Sequence, residues 1–219
     1  MATEHHLQLI TDRRAAKGDL VTAAARAIAA GIDSIQVRDK GAAAADVFAS
    51  VVEIQRVARA SAVRVLVNDR IDVALATRAH GVHLAAKSLA PAPARGLLEP
   101  WQLLGVSVHS IDAAIRAARE GADYVTFGHV FPTWSHAGEA ARGVAMLAAV
   151  VDAVDVPVLA IGGISAERAG EVLATGCAGI AVISAILSAT DAAGATRELR
   201  AALDAADARP KRPFPERRD

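Results

Sequence analysis

Short aliphatic runs alternate with alanine-rich amphipathic stretches along the chain, and the two patterns differ in period. Runs near 6–11, 34–38, 63–67, 81–84, 103–107, 123–128, 157–161 and 179–183 are too short for helices and are bounded by turn residues, so they predict strands. Stretches such as Leu20–Ala30, Ala42–Ala60, Ile111–Glu120 and Ala166–Thr175 repeat apolar residues at helical spacing. Each step from strand to strand is long enough for a parallel crossover, which makes the fold α/β. An open doubly wound sheet would call for G-x-G-x-x-G after the first strand, and Thr11-Asp12-Arg13 stands there instead. A single (β/α)8 TIM barrel over 1–207 is therefore expected. Residues 208–219, with three prolines, several charges and one large apolar residue, Phe214, read as a disordered tail.

Composition narrows the partners. The 219 residues are enough for one barrel, and a hydrophobic content of 53% with 3% aromatics means a core of Ala, Val, Leu and Ile. Twenty-four basic residues balance 24 acidic ones, so neither nucleic acid nor an anionic membrane is expected as a partner. A small phosphorylated molecule and further copies of the chain, as a dimer or larger homo-oligomer, are the partners expected. Cys177 has no second cysteine to pair with and reads as a small buried hydrophobe; with no signal peptide or bilayer-length apolar run, the cytoplasm is the expected compartment.

Candidate chemistry gathers at the carboxyl ends of the strands, where barrels of this kind place their sites. Gly162-Gly163 after the seventh strand and Ile183-Ser184 after the eighth suit a phosphate, because glycines let backbone N–H groups approach an anion. His109 ends the fifth strand, ahead of Ser110 as a helix N-cap, and His129 ends the sixth; neighbouring imidazoles suit proton transfer near neutral pH. A metal would need a third ligand. His136 is the nearby candidate, but the spacing is not that of a zinc site, and no metal is expected. Gln36, Arg38 and Lys40 after the second strand and Asn68 and Asp69 after the third put polar and charged groups at the same rim, with helix capping the rival role for Asp69 and Arg70. Ser107, Thr133 and Ser135 join them as substrate-binding candidates, whereas His83, inside Val82-His83-Leu84, is expected as a satisfied core histidine.

Taken together, Leu9-Ile10-Thr11-Asp12, Gln36-Val37-Arg38-Asp39-Lys40, Val67-Asn68-Asp69-Arg70, Gly81-Val82-His83-Leu84, Gly105-Val106-Ser107-Val108-His109-Ser110, Gly121-Ala122-Asp123-Tyr124 and Ala160-Ile161-Gly162-Gly163-Ile164 resemble the thiamine phosphate synthase and thiazole tautomerase superfamily. The resemblance runs from about Leu7 to Leu187. It implies a (β/α)8 barrel, cofactor-free or magnesium-using, that handles the thiazole phosphate half of thiamine, held at Gly162, Gly163, Ile183 and Ser184. In the synthase branch, which joins a pyrimidine pyrophosphate to the thiazole phosphate, the resemblance implies magnesium on Asp69 and on a second aspartate. Ser88 stands at that second place, with Lys87 beside it. His136 replaces the lysine of a Thr-x-Thr-Lys pattern, and His129 follows Gly128 where the synthase branch has proline. These three departures predict the tautomerase branch, a cofactor-independent isomerase that aromatises a dihydrothiazole carboxylate phosphate. His129 would do the acid–base work, His109 would orient or relay, and Arg38 and Lys40 would pair with the carboxylate. The synthase, or a non-catalytic thiazole phosphate binder, is the alternative.

Overall fold

A computed structural model describes residues 5–85, 87–133 and 138–215. The strands are β1 (His6–Ile10), β2 (Ser34–Val37), β3 (Arg64–Asn68), β4 (Gly81–Leu84), β5 (Leu103–Val108), β6 (Tyr124–Gly128), β7 (Val158–Ile161) and β8 (Gly179–Val182). Around them lie α1 (Leu20–Ala29), α2 (Ala44–Ala58), α3 (Ile71–Ala76), α4 (Pro91–Arg95), α5 (Ile111–Arg119), α6 (Gly143–Ala153), α7 (Ala166–Leu173), α8 (Ser184–Leu187) and α9 (Ala192–Asp204). Every strand pairs in parallel with the next, and β8 pairs with β1, so the sheet closes as the expected (β/α)8 barrel. The strand ends fall within a residue or two of the aliphatic runs because each run stops where a turn residue stops it.

Alternation along the strands sorts two interiors. Leu7 and Leu9, Ile35 and Val37, Val82 and Leu84, Val106 and Val108, and Val125 and Phe127 face the helices and form the main core with residues such as Val51, Ile54, Leu147 and Leu199. Their neighbours point into the barrel. At its amino-terminal end Leu66, Leu103, Tyr124, Leu159 and Ala178 make a small apolar plug, and above it the interior is polar.

One latch recurs at that amino-terminal end. The N–H of Asp33 donates to Leu7 O (2.9 Å) while its carboxylate accepts from Leu7 N (2.7 Å) and from Arg200 Nη1 (3.0 Å). Before β6, Asp123 repeats this: its N–H donates to Leu104 O (2.8 Å), and its carboxylate accepts from Leu104 N (2.8 Å) and Arg95 Nη1 (3.0 Å). Each latch fixes the register of the strand entering the barrel by satisfying a backbone N–H that has no ladder partner.

Within the 208–219 segment, the described residues run under the barrel. The Phe214 ring stacks on His6 (centroids 3.7 Å apart) and meets Tyr124 (4.8 Å), the Arg64 guanidinium lies 4.9 Å above it, and Arg64 donates to Pro215 O at 2.5 Å. Lys211 pairs with Asp152 and Arg212 with Asp155. Among the described residues no helix is long and apolar enough to cross a membrane.

Candidate active site

The carboxyl ends of β2, β3 and β4 share one hydrogen-bonded rim. Gln36 Nε2 donates to Asn68 Oδ1 (2.7 Å), and Asn68 Nδ2 donates to Asp69 Oδ2 (2.7 Å). Asp69 Oδ1 accepts from Ala85 N (3.0 Å) and from the Ser88 hydroxyl. Gln36 is buried, and its Oε1 has no hydrogen-bond partner among the described residues, which leaves an acceptor for a ligand.

Arg38 stands beside this rim, bonded through Nη1 to Asp12 Oδ2 at 2.9 Å. Burial pushes the Asp12 carboxyl up, but hydrogen bonds from Arg14 and Arg38 outweigh it and hold the group below the usual carboxylate range. The Arg38 charge, followed by burial, pushes the Lys40 ammonium down. Asp12 is thus the counter-ion that orients Arg38, a role that its place in Thr11-Asp12 did not announce in the sequence.

The opposite rim is built from β6 and β7. His109 is exposed and donates through Nδ1 to Gly128 O (2.7 Å), which also accepts from Arg142 Nε (3.0 Å). His129 is 3% exposed. It lies in the wall beneath Gly162, where an added Cβ would come within 2.4 Å of the His129 Cβ. Gly162 and Gly163 have positive φ values of 100° and 67°, and a Cβ on Gly163 would meet Pro132 O at 2.6 Å. The paired glycines are required by close packing as well as suited to an anion. Ile183 and Ser184 stand after β8, at the start of α8, and Thr133 is described after β6, whereas Ser135 and His136 lie outside the described residues.

Below the rim a polar column fills the barrel. His83 is within 2.9 Å of Ser107 Oγ and 3.3 Å of Thr126 Oγ1 through Nε2, and within 3.0 Å of Tyr124 Oη through Nδ1. Burial pushes its pKa down to about 4, so the ring is neutral at physiological pH. The expectation of a satisfied core histidine agrees with these contacts. Cys177 is buried, and burial pushes its thiol up.

The match to known proteins decides the family. The family model described as thiamine monophosphate synthase covers residues 7–186. The chain belongs to the thiamine monophosphate synthase family. Within that family it is 41% identical over 194 residues to the thiamine-phosphate synthase of Chlorobium phaeobacteroides, covering 88% of this chain and 93% of that protein. It is 42% identical over 207 residues to the one from Methanoculleus marisnigri, covering 93% and 98%. The solved thiamine phosphate pyrophosphorylase of Pyrococcus furiosus superposes with a TM-score of 0.84 at 37% identity, over 92% of this chain and 96% of that one. A 3-hexulose-6-phosphate synthase at 18% identity and a TM-score of 0.69 shares the fold alone.

These relatives overturn the isomerase expectation. Three positions were set against the rest of the chain, and the rest matches proteins named as synthases, which are transferases. At one of the three, His129, the side chain is buried and its Cα and Cβ pack against Gly162.

A magnesium ion is implied by the resemblance, and the residues present test poorly as its holder. Asp69 is the one carboxylate of this group; both its oxygens already accept hydrogen bonds, and the partner position offers a hydroxyl that donates into it. Among the described residues no three His, Cys, Asp or Glu side chains converge. A two-carboxylate site is not formed, and no step below is routed through a metal.

Proposed function

We propose that this chain is a thiamine-phosphate synthase, joining a pyrimidine pyrophosphate to a thiazole phosphate with release of pyrophosphate. The observation that carries the reading is an identity of about two residues in five, over roughly nine-tenths of the chain, to proteins bearing that name. The reaction is a displacement in which pyrophosphate leaves with the electron pair of the broken carbon–oxygen bond and the thiazole half takes its place. Such a site must hold two anions and steady the charge that develops on the leaving group. Arg38, set by Asp12, and Lys40 supply fixed positive charge at the β2 end, and the backbone of Gly162-Gly163 and Ile183-Ser184 suits the thiazole phosphate. Gln36 and Ser107 contribute uncharged contacts, the first through its open Oε1. With both reactants fixed at opposite rims, much of the acceleration comes from positioning. A reaction among small phosphorylated metabolites suits the cytoplasm.

The test is direct. Purified protein given both halves is expected to form thiamine phosphate and release pyrophosphate in equal amounts, and Arg38→Ala should cut kcat/KM by about a hundredfold. Absence of thiamine phosphate at saturating substrates, with the protein folded, would refute the reading.

A further inference from the structure

Gly105 opens the space in which two buried side chains from alternate strands meet. It pairs with His83 on one side and Tyr124 on the other, and a Cβ on it would lie 2.4 Å from His83 Nδ1 and 2.3 Å from Tyr124 Cζ. Through that gap Tyr124 Oη reaches His83 Nδ1 at 3.0 Å. We infer that Tyr124 is a positioning residue: it fixes which nitrogen of His83 carries the proton and so makes Ser107 a hydrogen-bond donor toward the barrel mouth. The inference rests on Ser107 contacting substrate, as proposed above.

The argument follows protons through the column. Gln8 Nε2 approaches Tyr124 Oη at 3.4 Å, and Gln8 Oε1 has no partner among the described residues. The Gln8 amide N–H faces the phenol oxygen, so the amide donates and the phenol oxygen accepts. Burial pushes the Tyr124 phenol up, so it keeps its proton, and the remaining partner for that proton is His83 Nδ1. A neutral imidazole that accepts at Nδ1 must carry its hydrogen on Nε2. Nε2 then donates to Ser107 Oγ, 2.9 Å away. With its oxygen accepting, Ser107 has its own O–H to give, either to Thr126 Oγ1 at 3.3 Å or to a ligand above it. Thr126 is buried, whereas Ser107 is partly open to the mouth. The Ser107 O–H is therefore available at this point to a substrate atom that accepts a hydrogen bond, which the Nδ1–H tautomer would not allow.

Long-range proton–nitrogen correlation spectra of the full-length protein with labelled histidine read the tautomer directly. The His83 ring is expected as the Nε2–H form, and an Nδ1–H form in the wild type would overturn the proposal. Tyr124→Phe keeps the ring against Phe214 and removes the hydroxyl. It should show a measurable Nδ1–H population and raise KM for one substrate about tenfold, the worth of one hydrogen bond, with kcat little changed. A single, unaltered Nε2–H tautomer in Tyr124→Phe would equally overturn the assignment. The tautomer is read without turnover, so a protein lacking synthase activity would refute the proposed function and leave this measurement decisive.

Discussion

Gly105→Ala puts the barrel interior under a defined load. The added carbon would sit 2.3 Å from Tyr124 Cζ and 2.4 Å from both Tyr124 Oη and His83 Nδ1. Carbon atoms pack at about 3.5–4.0 Å, so each ring must retreat by about 1 Å or more from a neighbour that is itself buried. Overpacking of this kind costs about 1–3 kcal/mol, and separating Tyr124 from His83 strands buried polar atoms for about 1–3 kcal/mol more. The expected loss of about 2–6 kcal/mol is a large share of the about 5–15 kcal/mol that holds a domain together. Equilibrium unfolding in urea measures it as a fall in midpoint at unchanged slope. The same substitution in a His83→Ala background, where one of the crowded rings is gone, should cost less than in the wild type, and the difference is the coupling between the sites. A Gly105→Ala protein within about 0.5 kcal/mol of wild type would refute the packing described for β4, β5 and β6.

Other perturbations test the two ends of the barrel. Phe214→Ala removes a half-buried ring from His6, Tyr124 and Arg64 and should cost about 2 kcal/mol, roughly half a core Phe→Ala, seen as a lower Tm; an unchanged Tm would mean that the segment makes no net contribution. His83, pushed by burial to about 4, and His6, also lowered first by burial, are favoured neutral in the fold, so their contribution is complete above about pH 6.5 and is lost as pH falls toward the folded value. His83 alone should cost about 2 kcal/mol between about pH 7 and about pH 5, partly offset at the acid end by Asp33, whose carboxyl is raised by burial, and a flat urea midpoint across that range would contradict this. Ser88→Asp sets a second carboxylate beside Asp69 and should create a magnesium site that the wild type lacks, seen as a rise in Tm with added magnesium; a Tm unchanged by magnesium would mean that the two positions do not converge on one ion.

Much of this was legible in the chain because strand register and side-chain direction share a period of two. The aliphatic pairs around Gln8, Gln36, His83, Ser107 and Thr126 mark each of these as a polar residue between two outward-facing apolar ones, and the same mark would have found Gln8 and Thr126, which were passed over. Tyr124 carried no such signal, because its hydroxyl acquires a partner only when the barrel closes across Gly105. Phe214 was hidden for a compositional reason: prolines and charges around it suggest a solvated segment, while its anchors, His6 and Arg64, lie far away in sequence. The rim residues lie at strand ends as expected, but whether an imidazole at such a position is exposed or buried depends on neighbouring strands. His109 is exposed and His129 is buried, although both stand at strand ends.

The two aspartate latches are chemically alike but differ in how far the chain must reach to complete them. Arg95 is 28 residues from Asp123, whereas Arg200 is 167 residues from Asp33 and also donates to His5 O at 2.6 Å. Closing the longer loop costs about 1.6 kcal/mol more in chain entropy, from the logarithm of the ratio of the two lengths. The β5–β6 latch can therefore form within a short stretch from α4 through the α5 crossover to β6, while the β1–β2 latch is completed only by Arg200 of α9. One device thus serves two ends: a ruler for strand register in the middle of the chain, and a clasp that draws first strand and last helix together once the ring of strands is complete.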